Sequence, residues 1–303
     1  FDSGFDKNIE DVKNSLKGDT WKNFRILQGD IADPGLCSEA TKGVDFVLHH
    51  AAIGSVPRSF AEPSLTIKVN IEGFTRLFEA AGKNGVRKFV YASSCAVYGD
   101  NPELPLGEDS ATRPLSPYAS SKLMNEQLAA QLSETLNLPA VGLRYFNIYG
   151  KRQDPQGGYA AVIPKWIELT LLGQPVTIFG DGRHTRDFCY IDDLVRANVT
   201  AAFGPARPPQ KAIFNIAGGD TISLKELLTE IQQAAKKSCP ELDVKDAVFK
   251  DERQGDIVHS QADISHARAH LQFQPEVPLS TGLRSTLDWY AQRITSTNRI
   301  HEV

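Results

Sequence analysis

Short apolar runs alternate with longer segments of helical period through the first half of this chain, and that alternation restricts the fold more than any other feature. Strands are expected at Phe24 to Gln28, Asp45 to His50, Lys88 to Ser93 and Ala140 to Arg144. Phe46-Val47-Leu48 is a continuous apolar triplet of the kind found in parallel strands buried on both faces. Ile67, Ile71, Phe74, Leu77, Phe78 and Ala81 recur at helical spacing, which predicts an amphipathic helix over Pro63 to Asn84. A second helix is expected over Pro117 to Leu136, entered through Ser116-Pro117. Strands separated by helices read as a doubly wound parallel α/β sheet.

Beyond Arg144 the alternation becomes irregular. Short strands are expected near Val176 to Ile178, Phe188 to Ile191, Ile213 to Ile216 and Val258 to Ser260. Helices are expected over Ala160 to Leu172, Asp192 to Phe203, Ser223 to Lys236, Ile264 to Leu271 and Leu279 to Gln292. Residues 1–148 therefore read as the sheet domain and 149–303 as a smaller α/β lobe, with some chain crossing back. The chain opens as a loop leading into a polar helix. A net charge of -4 and a pI near 6.0 leave no basic footprint for nucleic acid. No apolar run approaches the length of a membrane span, since Lys165 and Glu168 interrupt Ala160 to Leu172. Cys37, Cys95, Cys189 and Cys239 form no C-x-x-C pair, a pattern that fits reduced thiols in a cytoplasmic enzyme. His49 and His50 are adjacent but have no carboxylate or thiol at ligand spacing, so no metal site is expected.

The chemistry concentrates in Ser116-Pro117-Tyr118-Ala119-Ser120-Ser121-Lys122 and in Ser93-Ser94-Cys95-Ala96-Val97-Tyr98-Gly99. On a helix, Tyr118 and Lys122 lie on one face, one turn apart. An ammonium beside a phenol favours phenolate, which lowers the tyrosine pKa and suits it to take a proton from a sugar hydroxyl. With 8 Tyr and 33 Lys plus Arg, a lone Tyr-x-x-x-Lys arises by chance. Here it opens a helix after an apolar strand that ends in serines, and that context gives it meaning.

The constellation resembles the extended short-chain dehydrogenase/reductase superfamily over essentially the whole chain, in particular its NAD-dependent epimerase/dehydratase branch and bacterial UDP-N-acetylglucosamine 4-epimerases. The resemblance implies a Rossmann-like sheet, NAD as cofactor, a UDP-sugar substrate and a homodimer built on the Pro63 to Asn84 and Pro117 to Leu136 helices. It implies Ser94, Tyr118 and Lys122 as catalytic residues. Asp30, Ile31, His50, Ala51, Ala52, Asn70 and Tyr145 match cofactor-contacting positions, together with Tyr118 and Lys122. Gly54, Ser55, Ser94, Asn147, Gln153, Arg186, Arg253, Asp256 and Ser260 match substrate-contacting ones, the two arginines clamping the diphosphate. Dehydrating relatives carry Asp-Glu at the places of Cys95 and Ala96, and decarboxylating ones a Glu at the place of Ala96; this chain has no acid at either. A small residue at Ser260 leaves room for an N-acetyl group on the sugar. Epimerisation of UDP-glucose or UDP-glucuronate is the nearest alternative, and a non-catalytic nucleotide-binding homologue the more distant one. No G-x-G-x-x-G or G-x-x-G-x-x-G occurs. Relative to the family, Phe1 falls just after the second strand, so a β-α-β segment of roughly 30 residues or more is expected to be missing ahead of it.

Overall fold

The computed structural model describes residues 4–156, 161–204, 212–252 and 257–301, with side chains through residue 294. In the first half the elements are α1 (Asp6–Ser15), α2 (Pro34–Thr41), β1 (Phe46–His49), α3 (Val56–Ala61), α4 (Pro63–Ile67), a π-helical segment (Lys68–Gly73), α5 (Phe74–Lys83), β2 (Lys88–Ser94), α6 (Pro117–Thr135) and β3 (Ala140–Tyr145). They continue with β4 (Ile148–Tyr149), α7 (Val162–Leu171), β5 (Thr177–Phe179), β6 (Thr185–Asp187), β7 (Cys189–Tyr190), α8 (Ile191–Phe203), β8 (Ile213–Ile216), β9 (Thr221–Ser223), α9 (Leu224–Ser238), β10 (Val248–Lys250), α10 (Ser265–Leu271) and α11 (Leu279–His301).

β1, β2, β3 and β8 form one parallel sheet in that order, with Phe46 opposite Lys88, Phe89 opposite Ala140 and Gly142 opposite Ile213. All seven residues of β2 are buried, which is what helices on both faces require of a central parallel strand. Phe89 and Tyr91 meet Phe74, Phe78 and Ala129 of α5 and α6 on one face. Val90 meets Leu194, Ala197 and Ala201 of α8 on the other. The fold is thus the expected Rossmann-like α/β arrangement. A further apolar core joins α7, α9 and α11 through Ile167, Leu227, Ile231 and Leu287. Among the described residues no helix is long and apolar enough to cross a membrane, no cluster could hold a metal ion, and all four cysteines are free.

Two expected strands do not form. Phe24 to Gln28 is irregular, with Phe24 49% and Ile26 48% exposed. No strand among the described residues lies beside it to satisfy its backbone groups, and an apolar run without such a partner does not become a strand. Val258 to Ser260 supplies only one bridge, His259 to Thr185, in which the Thr185 N–H donates to the Val258 carbonyl and the Ser260 N–H to the Thr185 carbonyl, each at 3.1 Å. The helix expected over Pro63 to Asn84 is present, but as α4, the π segment and α5 in succession. Its buried residues are Thr66, Asn70, Gly73, Phe74, Phe78, Ala80 and Ala81, whereas Ile67 is 54% exposed.

Candidate active site

The three proposed catalytic side chains meet where β2 ends against the first turns of α6. That helix starts sharply: the Ser116 hydroxyl accepts from the Ala119 N–H at 3.1 Å, and Pro117 occupies a first-turn position. β2 ends at Ser94, whose hydroxyl accepts from the Ala96 N–H at 3.2 Å and starts a short 3₁₀ turn, Cys95–Tyr98. Gly99 closes this turn at φ 63°, where a Cβ would collide with the Arg113 carbonyl oxygen, so glycine is required there. The Ser94 hydroxyl lies close enough to the Tyr118 phenol to influence its ionisation. Lys122 is buried; its Nζ lies 5.9 Å from the Tyr118 ring centroid and donates to the Ala92 carbonyl at 2.9 Å.

The electrostatics differ from the sequence-based expectation. Burial raises the Tyr118 pKa, with the nearby Ser94 hydroxyl opposing it. Burial also lowers Lys122 to about 8. The ammonium is bonded to a backbone carbonyl rather than to the phenol, and loss of solvent penalises both charged forms. Ser94, not Lys122, is the neighbour that favours phenolate here.

His49, buried in β1 with its ring 5.5 Å from that of Phe74, has its pKa lowered to about 3 by burial, with Lys122 and His50 adding to the effect. A histidine held neutral in the fold protects it fully above the unfolded pKa of 6.5. That stability is lost as pH falls from 6.5 toward 3, at about 1.4 kcal/mol per pH unit. Between pH 6.5 and 5 the His49 contribution is therefore expected to fall by about 2 kcal/mol. Urea unfolding at pH 7 and pH 5 should show a smaller acid loss in His49→Leu than in the parent chain. Equal losses in both would contradict a neutral buried His49.

On the side expected to take the cofactor, Asn70 ties three segments together. Its Oδ1 accepts from the Ile53 N–H at 2.8 Å, while its Nδ2 donates to the Ile53 carbonyl at 3.1 Å and to Ser121 Oγ at 3.0 Å. Ser121 in turn donates to the Tyr118 carbonyl at 2.7 Å. The π segment thus fixes both the loop that carries Ala51 and Ala52 and the turn of α6 that carries Tyr118. Asp30 accepts from the Ala32 N–H at 2.9 Å and pairs with Lys68 at 3.4 Å. Ile31 packs against Gly73, leaving no room there for a Cβ. The Tyr145 hydroxyl donates to Asn198 Oδ1 at 3.0 Å and therefore accepts from His50 Nε2, also at 3.0 Å.

On the substrate side, Ser55 caps α3 by accepting from the Arg58 N–H at 3.1 Å, a structural role that the sequence reading did not assign. Gly54 beside it has open space where a Cβ would lie. Asn147, at φ 37°, donates to the Asp187 carbonyl at 2.9 Å. Gln153 Nε2 donates to the Ile148 carbonyl at 3.3 Å. Arg186 Nη1 donates to the carbonyls of Thr185 at 2.8 Å and Val258 at 3.1 Å. Ser260, 7% exposed, adjoins the same strand through its N–H to the Thr185 carbonyl at 3.1 Å. Arg253 and Asp256 lie outside the described residues. Cys95 is pushed up to about 11 by burial, so it remains a thiol and serves as neither base nor nucleophile. A separate cavity of about 600 Å³, bordered by Phe5, Arg152, Gln153, Trp289 and Tyr290, shares Gln153 with these residues but none of Ser94, Tyr118 and Lys122.

Two charged residues escaped the sequence reading. Arg144 is buried within β3 and forms a double hydrogen bond with Glu126 of α6, at 2.9 and 2.7 Å. The available signal was a charge inside an apolar strand, which demands a buried partner.

The family model described as the NAD dependent epimerase/dehydratase family matches residues 4–217. The UDP-glucose 4-epimerase of Mycolicibacterium smegmatis is 37% identical over 295 residues, spanning 96% of this chain and 88% of that protein. Among solved structures, UDP-N-acetylglucosamine 4-epimerase from Methanobrevibacter ruminantium M1 in complex with UDP-N-acetylmuramic acid matches with a TM-score of 0.84 at 36% identity, covering 92% of this chain and 87% of that one. The UDP-glucose 4-epimerase of Thermotoga maritima with UDP-glucose gives 0.81 at 31% identity, covering 96% and 97%.

Proposed function

Because the chain belongs to the NAD-dependent epimerase/dehydratase family, we propose that it inverts C4 of a UDP-hexose, with UDP-N-acetylglucosamine and UDP-N-acetylgalactosamine as the preferred pair. The observation that carries this reading is the meeting of Tyr118 with Ser94 and with a buried Lys122 whose Nζ lies 5.9 Å from the Tyr118 ring centroid, with no acid at Cys95 or Ala96. Dehydration needs an added acid and base. The first residue at those two positions is a half-buried thiol and the second an alanine.

The residues fit a dinucleotide cofactor. The Lys122 ammonium carries three N–H donors, of which the Ala92 carbonyl takes one, and the others suit ribose hydroxyls. Ala51 and Ala52, small and outside the core, follow the strand end where backbone must approach such a ligand closely. Asp30, Ile31, His50, Asn70 and Tyr145 would complete the holding set. NAD, when bound, accepts the C4 hydride of the sugar and returns it. Tyr118 in its phenolate form takes the C4 hydroxyl proton and later gives it back, and Ser94 holds the reacting oxygen. Arg186 and Arg253 anchor the diphosphate while the 4-keto sugar turns over between the two hydride transfers. Gly54, Ser55, Asn147, Gln153, Asp256 and Ser260 shape the substrate side, the last three from the lobe over residues 149–303.

The proposed homodimer would use the apolar side chains left exposed by α3, α4 and α6: Val56, Phe60, Ile67 and Met124. UDP-glucose and UDP-glucuronate are the competing substrates; Ser260 bears on the C2 substituent, a hydroxyl in both and an N-acetyl group in the proposed pair. Incubating the purified protein with each UDP-sugar and separating the C4 epimers tests the reading directly. UDP-N-acetylgalactosamine is expected from UDP-N-acetylglucosamine. Ser260→Tyr is expected to cut turnover of the N-acetylated pair by about 10–200-fold while leaving UDP-glucose within a few-fold. No epimer from any of the three substrates would remove the proposal.

A further inference from the structure

Glu126 lies four residues beyond Lys122 and eight beyond Tyr118, on the same face of α6. Its side chain is 7% exposed. One carboxylate oxygen accepts from Ser93 Oγ at 2.5 Å and Arg144 Nε at 2.9 Å, and the other from Arg144 Nη2 at 2.7 Å. Ser93 is the residue before Ser94, and Arg144 the residue before Tyr145. In the β2–β3 register Ser93 lies opposite Arg144, and Ser94 opposite Tyr145. Arg144 Nη1 also donates to the Tyr98 hydroxyl at 2.8 Å, and that hydroxyl donates to Asn215 Oδ1 at 2.7 Å. One carboxylate thereby joins the helix that carries Tyr118 and Lys122 to the strand end that carries Ser94, the strand that carries Tyr145, and the 3₁₀ turn beyond Ser94.

We propose that Glu126 is the positioning residue of the active site: gripping Ser93 and Arg144, it sets the distance between α6 and the ends of β2 and β3, and so the Ser94–Tyr118 contact. Glu126 touches neither Tyr118 nor Ser94 itself, so it acts only through the elements it holds. Side chains on separate elements stay in reactive geometry only when a buried, directional contact fixes those elements, and a displacement near 1 Å costs about 100-fold in rate. A buried carboxylate held by three hydrogen bonds supplies such a contact. The effect on turnover rests on the epimerase reading; the effect on Tyr118 does not.

The test compares the parent chain, Glu126→Gln and the double variant Glu126→Gln/Arg144→Met, which removes both buried charges together and so relieves the unpaired one. Two quantities are read: kcat and KM for UDP-N-acetylglucosamine, and the ultraviolet titration of Tyr118 obtained by difference from Tyr118→Phe. For Glu126→Gln, kcat is expected to fall about 10- to 100-fold with KM within about threefold, and the Tyr118 titration to move. In the double variant thermal stability should return while kcat and the Tyr118 titration remain altered. A kcat and a titration that match the parent in Glu126→Gln, or that return together with stability in the double variant, would overturn the proposal. If Glu126→Gln does not fold, Glu126→Asp, which keeps the charge but shortens its reach, takes its place. If the parent turns over no UDP-sugar, the epimerase reading fails while the Tyr118 titration still decides the role of Glu126.

Discussion

Tyr118→Phe is expected to reduce turnover of the UDP-sugar by about 10²–10⁴-fold, the range that a positioned proton acceptor contributes. The ring, and with it the packing at the start of α6, stays in place. Only the hydroxyl, which Ser94 approaches, is removed. Affinity for the UDP-sugar should change by less than about threefold, because the proposed diphosphate anchors, Arg186 and Arg253, do not include Tyr118. Steady-state kinetics combined with calorimetric binding would separate the two. A kcat within tenfold of the parent would remove Tyr118 from the proton-transfer role, whatever happened to binding.

Arg144→Met is expected to cost about 3–5 kcal/mol of stability, the loss typical when one partner of a buried ion pair is removed. The Arg144 side chain is 6% exposed, so solvent cannot replace it. Removing it leaves the Glu126 carboxylate with the Ser93 hydroxyl alone, and deprives the Tyr98 hydroxyl of a donor. Tyr98 is itself pushed up to about 12 by burial, so it stays protonated and supplies no compensating charge. Urea unfolding at neutral pH would measure the loss. A change below about 1 kcal/mol would place the pair among the weak, solvent-screened ones.

Much of this was legible in the sequence because it depends on local pattern. The α6 boundaries, three of the four parallel strands and the Ser94–Tyr118–Lys122 grouping follow from apolar periodicity, a Ser-Pro helix entry and a family-like spacing, whereas β8 was expected as a strand of the smaller lobe. Long-range partnership was not legible. That Lys122 would bond to the Ala92 carbonyl, or that burial would outweigh an ammonium in setting Tyr118, depends on desolvation, which no spacing reveals. Leu143-Arg144-Tyr145 was noticed for its tyrosine, while the arginine between two core residues carried the stronger physical demand. The failure at Phe24 to Gln28 has the same origin. Strand propensity is real, but a strand exists only where a neighbour accepts its hydrogen bonds.

The wide turns of the π segment have a geometrical consequence for the helix that runs from Pro63 to Lys83. Thr66, Asn70, Phe74 and Phe78 are all buried and follow one another at steps of four. In a regular α-helix each such step overshoots a full turn by about 40°, so three of them would wind the row about 120° around the axis. Hydrogen bonds that reach one residue further slow this winding. The row is straightened where it passes Lys68–Gly73, and a polar anchor for the α6 turn and an aromatic face for the sheet can share one side of a single rod. Phase, rather than composition, lets one helix serve both the core and the chemistry.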